Sequence, residues 1–369
     1  GSLMNSLVSG FALILFAALA GGAFAVPLKM RRRYAWENTW LLGFFFALIV
    51  IPFATVSIFL PVWPQAVANS GAKTLAMAMA FGFLWGWGAV TFAIGISAIG
   101  LSLGYAIIMG LNTAVGSIIP MARRWGAISG EARVAILLGI LACVAGVAVC
   151  GRAGMLRERK VSPDPLATQR TSTGQKTAAQ LFWVGLLWCV LSGFLSACAN
   201  LGFDFSNRVA TEASRLGAGP LAASIGRWLP MYWGGFFAIL IGTGSTLTKN
   251  GTWNKYWARG TLRDFVLAIL LGLGNFLAQI PYGMGAYFLG ELGTSVGWAI
   301  NIALSLLVAN LFGFVTGEWK VAPRSSVYML YVGLAVLIIA MVILAYGNSL
   351  AMHPPHSTAV SCAATGFAG

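Results

Sequence analysis

Acidic residues are scarce in this chain: 9 Asp and Glu among 369 residues, with only 9% of all residues charged. A soluble globular domain carries about 25% charged residues, so a water-soluble enzyme is excluded at once. Histidine is nearly absent as well. His353 and His356 both stand in the last stretch of the chain, which leaves no imidazole for catalysis or proton relay inside an apolar segment. The five cysteines follow no metal-ligand spacing. Four of them, Cys143, Cys150, Cys189 and Cys198, lie inside apolar runs and read as small core residues. No phosphate-binding Gly-Lys loop, no HExxH and no Ser/His/Asp set occurs. Nothing here calls for a metal or a cofactor, and an enzyme is not expected.

What the chain has in abundance is apolar sequence, 59% of its residues, with a mean hydropathy of +0.83. A membrane-spanning helix needs about 20 mostly apolar residues. Ten such segments can be marked: 6–28, 37–60, 74–97, 101–121, 133–151, 180–206, 220–243, 263–289, 295–317 and 325–347. Their apolar runs are continuous and do not alternate, so they predict helices and not barrel strands. The fold class expected is an all-α polytopic membrane protein.

The basic residues give the orientation. The formal net charge is +14, which in a soluble chain would suggest nucleic acid. Lys and Arg of membrane proteins, however, concentrate in cytoplasmic loops. Lys29, Arg31, Arg32 and Arg33 follow the first apolar run directly and no base precedes it. That order argues against a cleaved signal at Ala23-Phe24-Ala25 and puts the N-terminus outside. With ten spans, both termini are then extracytoplasmic, and the cytoplasmic loops collect 16 of the 23 bases. Most of the basic surplus is topology, and a nucleic-acid partner is not expected.

The longest hydrophilic stretch, 152–179, separates five spans from five. This divides the chain into a first five-helix repeat (6–151), a cytoplasmic linker (152–179), a second repeat (180–347) and an extracytoplasmic tail (348–369) expected to be disordered. Five is odd, so a duplicated half must be inverted in the membrane. Gly100-Leu-Ser102-Leu-Gly104-Tyr105-Ala-Ile107 matches Gly293-Thr-Ser295-Val-Gly297-Trp298-Ala-Ile300 at the same place in each half. Inverted repeats point to alternating access, with the substrate held near the bilayer midplane between the halves.

Polar groups at helical spacing mark where that substrate would sit. Ser196, Asn200, Asp204 and Asn207 form one row; Asn275, Gln279 and Tyr282 a second; Trp298, Asn301 and Ser305 a third; Tyr105 and Asn112 stand seven apart. Residues so spaced share a helix face. Amides donate and accept as sugar hydroxyls do, and aromatic rings cover the apolar face of a pyranose. The candidate sugar-binding residues are therefore Trp85, Tyr105, Asn112, Asn200, Asn275, Gln279, Trp298 and Asn301. The competing reading is that these amides bridge helices, and that Trp85 and Trp87 only pack beside glycines. Apart from Arg227, no base falls well inside a span, which disfavours phosphorylated or nucleotide-linked substrates.

Asp204 is costly inside a helix, at least ~2.5 kcal/mol on insertion scales, so it needs a partner or a task. Arg208 or Arg227 would be the partner; proton acceptance would be the task. Glu37 opens the second span four residues after Arg33 and suits the helix dipole, or shares in proton coupling. Glu291 falls in a turn and is expected to be solvated.

Several of these stretches resemble one family. Val26-Pro27-Leu-Lys29-Met-Arg-Arg-Arg-Tyr-Ala-Trp36-Glu37-Asn-Thr-Trp40, Phe81-Gly82-Phe-Leu-Trp85-Gly86-Trp-Gly88 and Gly100-Leu-Ser102-Leu-Gly104 are similar to motifs of the bacterial L-rhamnose–proton symporter family. So are Gly151-Arg152-Ala-Gly154-Met-Leu-Arg157-Glu158-Arg159-Lys160 and Gly317-Glu318-Trp319-Lys320. The resemblance covers nearly the whole membrane region and implies the drug/metabolite transporter superfamily, a bacterial inner membrane, a 6-deoxyhexose substrate and coupling to protons. Under it, Gln279 matches a glutamine of the family, whereas Asp204 stands where the family has an uncharged amide.

The expected function is thus proton-coupled import of L-rhamnose or a related neutral sugar, held between helices 1, 3, 4, 6, 8 and 9. Asp204 and Glu37 are the coupling candidates, and the partners are sugar, proton and lipid bilayer. An uncoupled facilitator, or an exporter of small metabolites or drugs, is the alternative; a non-transporting scaffold is a third.

Overall fold

A computed structural model describes residues 2–24, 26–99, 101–161, 178–315, 317 and 319–352. The linker and tail expected from the sequence therefore lie largely outside the described residues. Among those residues the chain is entirely helical, without strands. Ten long helices follow in order: α1 Ser2–Ala23, α2 Trp36–Phe59, α3 Ala72–Ile99, α4 Leu101–Arg123 and α5 Gly130–Val161. They continue with α6 Ala178–Phe205, α7 Trp228–Asn250, α8 Leu262–Phe288, α9 Gly293–Val315 and α10 Arg324–Met352. Helix is the only local solution for such segments in lipid, because it satisfies each N–H and C=O within the segment.

Nine of the helices are long and apolar enough, among the described residues, to cross a membrane. The tenth, α7, has a full spanning length of 23 residues. Its Trp228, Pro230, Tyr232, Trp233 and glycine pair dilute the apolar character of its first half. The segment 220–243 was expected as one helix, and here the structure differs. A short helix, Pro220–Gly226, ends at Arg227 and α7 begins afterwards. Pro230 has no N–H to give to the Gly226 carbonyl, so an unbroken run through this point would lose its hydrogen bond.

Proline also shapes α2 and α4. A π-helical turn, Phe46–Val50, lies immediately before Pro52 and absorbs the register error that proline creates. In α4, Pro120 stands inside the helix and leaves the Gly116 carbonyl without its intrahelical donor.

Small residues set the helix contacts. A Cβ on Gly82 of α3 would fall 1.9 Å from the Met231 carbonyl oxygen of α7, and one on Gly234 of α7 just as close to that of Met79. Only hydrogen fits there, as in membrane-helix contacts generally. In the sequence Phe81–Gly88 the glycines are thus spent on close approach, as one of the two readings of Trp85 had it. The neighbour pairs are α3 with α6 and α7, α4 with α5, α6 and α9, α1 with α8 and α9, α8 with α2, and α5 with α10. The helices around the centre thus fall into two groups: α3, α4 and α6 on one side, α1, α8 and α9 on the other.

Candidate substrate site

Where those two groups meet, the polar rows of α4, α6, α8 and α9 converge. Asn200 is fully buried and occupies the crossing. Its Nδ2 donates to the carbonyl oxygen of Gly116 at 2.7 Å, the acceptor that Pro120 left open, and to that of Thr294 at 2.7 Å. Its Oδ1 accepts from the Tyr282 hydroxyl at 2.5 Å. One amide thus ties α6 to α4, α8 and α9. Beside it the Ser295 hydroxyl donates to the Ser117 carbonyl at 2.7 Å, and Trp298 Nε1 donates to Asn112 Oδ1 at 3.2 Å.

One turn further along α6 is Asp204, only 2% exposed. Arg123 and Arg124 at the end of α4 both donate to its carboxylate, Arg124 at 2.7 Å. The Thr294 hydroxyl donates to Oδ1 at 2.8 Å. The expected partners Arg208 and Arg227 are not the ones used. Arg208 is exposed on the next short helix. Arg227 instead donates Nε and Nη2 to the Phe203 carbonyl, at 3.1 and 2.8 Å, and lies 3.7 Å over the Phe203 ring. The reason is helix geometry: the last carbonyls of α6 have no intrahelical donor, and an arginine at the α7 joint supplies one. Arg123 rests on the Phe205 ring at 4.0 Å.

Below this closure lie the remaining candidates. Trp298 meets Tyr282 edge-on at 5.1 Å, and Tyr282 continues to Phe203 at 6.0 Å and Trp228 at 6.3 Å. One turn from Tyr282 is Gln279, whose Nε2 donates to Asn275 Oδ1 at 3.1 Å. One turn from Trp298 is Asn301. Because α8 and α9 run antiparallel, both steps lead the same way, toward the middle of the bundle. Gln279 Oε1 and Asn301 Oδ1 are buried oxygens with no hydrogen-bond partner. An unsatisfied buried polar group costs about 1–3 kcal/mol, so two of them on one side of an aromatic pair mark a place that a donor is suited to fill.

Residues 3–350 match the family described as L-rhamnose-proton symport protein. An L-rhamnose-proton symporter of Cronobacter sakazakii is 26% identical over 353 residues, covering 93% of this chain and 98% of the relative. Those of Escherichia coli O1:K1 and Klebsiella pneumoniae are 24% identical over 352 residues and 25% over 359, with the same coverage on both sides. The chain belongs to the L-rhamnose-proton symport protein family. It is a multi-pass inner-membrane carrier and not an enzyme.

Within this family member, the site expected from sequence is only partly assembled by the fold. Asn112, Asn200, Asn275, Gln279, Trp298 and Asn301 fall on the four converging helices. Trp85 does not join them; its indole packs against Gly235 of α7 and meets Phe44 of α2 edge-on at 6.2 Å. The Tyr105 side chain lies outside the described residues. Asn207 leaves the α6 row because the helix ends at Phe205, and it is exposed, as is Glu291.

Glu37 sits at the opposite end of the bundle, 1% exposed, and Arg33 is not its partner. Its Oε1 accepts from Asn250 Nδ2 at 3.0 Å and from the Thr252 hydroxyl at 2.8 Å. Arg33 turns instead to the Arg259 carbonyl at 3.1 Å. Sequence reasoning passed over Thr294, Ser295, Arg123 and Arg124 as functional residues. A usable signal existed for the two arginines, an adjacent pair on the base-poor side of the membrane together with the one carboxylate deep in a span.

Proposed function

We propose that this chain imports L-rhamnose or a related 6-deoxyhexose together with protons, by alternating access between two inverted five-helix halves. The observation that carries the sugar site is the pair of unpartnered buried oxygens, Gln279 Oε1 and Asn301 Oδ1, beside the Tyr282–Trp298 edge contact. Sugar hydroxyls donate to both oxygens, and the rings meet the apolar face of the pyranose. Asn275 and Asn112 complete the polar lining. The full-length match to symport proteins supports the substrate class and the coupling.

The inverted halves, 6–151 and 180–347, are supported by the neighbour pairs. Exchanging each helix with the one five places away turns α3–α6 into α8–α1, α4–α6 into α9–α1 and α3–α7 into α8–α2, all of which are neighbours. The pairs α4–α9 and α5–α10 map onto themselves, as elements on a two-fold axis do. On the orientation given by the basic loops, the Asp204 end is extracytoplasmic and this conformation is closed there.

Asp204 is assigned to proton coupling in preference to Glu37. The bonds of Asp204 and Asn200 to Thr294 and Tyr282 cross between the two helix groups, so outward opening breaks them and admits water to the carboxylate. Glu37 is held by donors at the end of α7 and in the loop after it, which suit a fixed tie. In proteoliposomes, L-rhamnose added outside is expected to alkalinise the medium, and Gln279→Leu to abolish uptake. Asp204→Asn should lose uphill accumulation yet keep sugar exchange; accumulation at the native level would remove Asp204 from the coupling.

A further inference from the structure

Far from Asp204, at the other end of the bundle, two loops distant in sequence are locked together. Asp264, the third residue of α8, accepts backbone N–H bonds from Arg32, Arg33 and Tyr34 at 3.0, 2.7 and 3.0 Å. Asn38 Nδ2 donates to the Thr252 carbonyl at 2.9 Å, and the Tyr256 hydroxyl donates to the Asn38 carbonyl at 3.0 Å. Burial pushes the Tyr256 hydroxyl above the ordinary tyrosine range, so it remains a donor. The result brings Arg32, Arg33, Lys255, Arg259 and Arg263 onto one cap.

Both carboxylates of this cap are buried, and both are occupied by uncharged donors: Asp264 by backbone N–H groups, Glu37 by Asn250 and Thr252. Among the described residues, none of the five bases has a carboxylate within ion-pair distance. Five bases against two buried carboxylates leave the cap with a surplus of positive charge. Its rim is apolar where it meets the bundle side. Trp257 is 88% exposed and Leu262, the first residue of α8, is 74% exposed. Leu262 opens the membrane-spanning run of α8, so Arg263 and, four residues before it, Arg259 flank the end of a span, with the exposed Trp257 as the kind of aromatic found at membrane interfaces.

We propose that this cap is a binding site for the phosphodiester headgroup of an anionic phospholipid, with Arg259 and Arg263 on the phosphate and Trp257 and Leu262 against the acyl chains. Charge complementarity selects an anion, and the exposed indole and leucine select one that carries chains. Each base near an anionic lipid surface is worth roughly fivefold in binding.

The full chain, purified in a neutral detergent, can be titrated with phosphatidylglycerol or phosphatidylcholine and the bound lipid counted by native mass spectrometry. Phosphatidylglycerol should bind preferentially, and the double variant Arg259→Gln/Arg263→Gln should lower that binding at least tenfold. Arg208→Gln/Arg215→Gln, which removes the same charge at the other end, should leave it unchanged. Trp257→Ala, which alters no charge, should lower it severalfold and so reports on the acyl-chain contact even if the arginine pair proves poorly folded. Glycerol phosphate, a headgroup without chains, should not compete. Equal binding of the two lipids, an equal loss in both arginine pairs, no effect of Trp257→Ala, or full competition by glycerol phosphate would each overturn the assignment.

Discussion

Asn200 gives both amide hydrogens and its oxygen to backbone and tyrosine partners on three other helices. Replacing it with alanine strands the Gly116 and Thr294 carbonyls and the Tyr282 hydroxyl, each at about 1–3 kcal/mol if water cannot reach it. Asn200→Ala is therefore expected to lower the thermal midpoint in detergent clearly, whereas Asn207→Ala, exposed on the same sequence row, should leave it nearly unchanged. Helical spacing was enough to pick Asn200 and Asp204 out of the chain. It could not show that Asn200 bridges helices in this conformation, because its partners lie 82 to 94 positions away. Nor could it find the partner of Asp204: it offered Arg208 and Arg227, and the fold uses Arg123 and Arg124. That choice depends on rotation about helix axes, which spacing along a single helix does not constrain.

Helices here are defined as much by their interruptions as by their apolar runs. Pro120 opens the Gly116 carbonyl and Asn200 takes it, so the proline and the asparagine act as one unit. Pro120→Ala restores an N–H that competes for that carbonyl, and it removes a helix-interior penalty of about 3 kcal/mol. The effects of Pro120→Ala and Asn200→Ala on stability should then be non-additive; additive changes within ~0.5 kcal/mol in a double-mutant cycle would mean that the two act independently. Nearly all long helices could be placed from the continuous apolar runs. The exception is α7, displaced by Pro230 and by a joint at Arg227 that hydropathy does not register.

For the molecule as a whole, the bonds at the Asp204 end divide by helix group. Arg123, Arg124 and Asp204 all belong to the α3–α4–α6 group, so their ion pairs travel together. Thr294 to Asp204, Ser295 to Ser117 and Trp298 to Asn112 cross to the α1–α8–α9 group, and the proposed alternating access requires that they break. A Ser117→Cys/Ser295→Cys pair, oxidised to a disulfide, should stop uptake reversibly, with reductant restoring it; undiminished uptake by the cross-linked carrier would mean that this closure is not part of the cycle.

Composition and periodicity alone determined that the chain is helical, crosses a membrane many times and carries amides and rings fit for a neutral sugar. These properties are local: an apolar run of about 20 residues has one stable answer in lipid, and spacing along a helix fixes which side chains share a face. Only the tertiary structure decided which faces meet. It gave Asp204 to two arginines of α4, turned Arg227 to the end of α6, took Trp85 into the α3–α7 contact and left the side-chain oxygens of Gln279 and Asn301 without a hydrogen-bond partner. Each of these depends on contacts between groups many residues apart, and only packing brings those together.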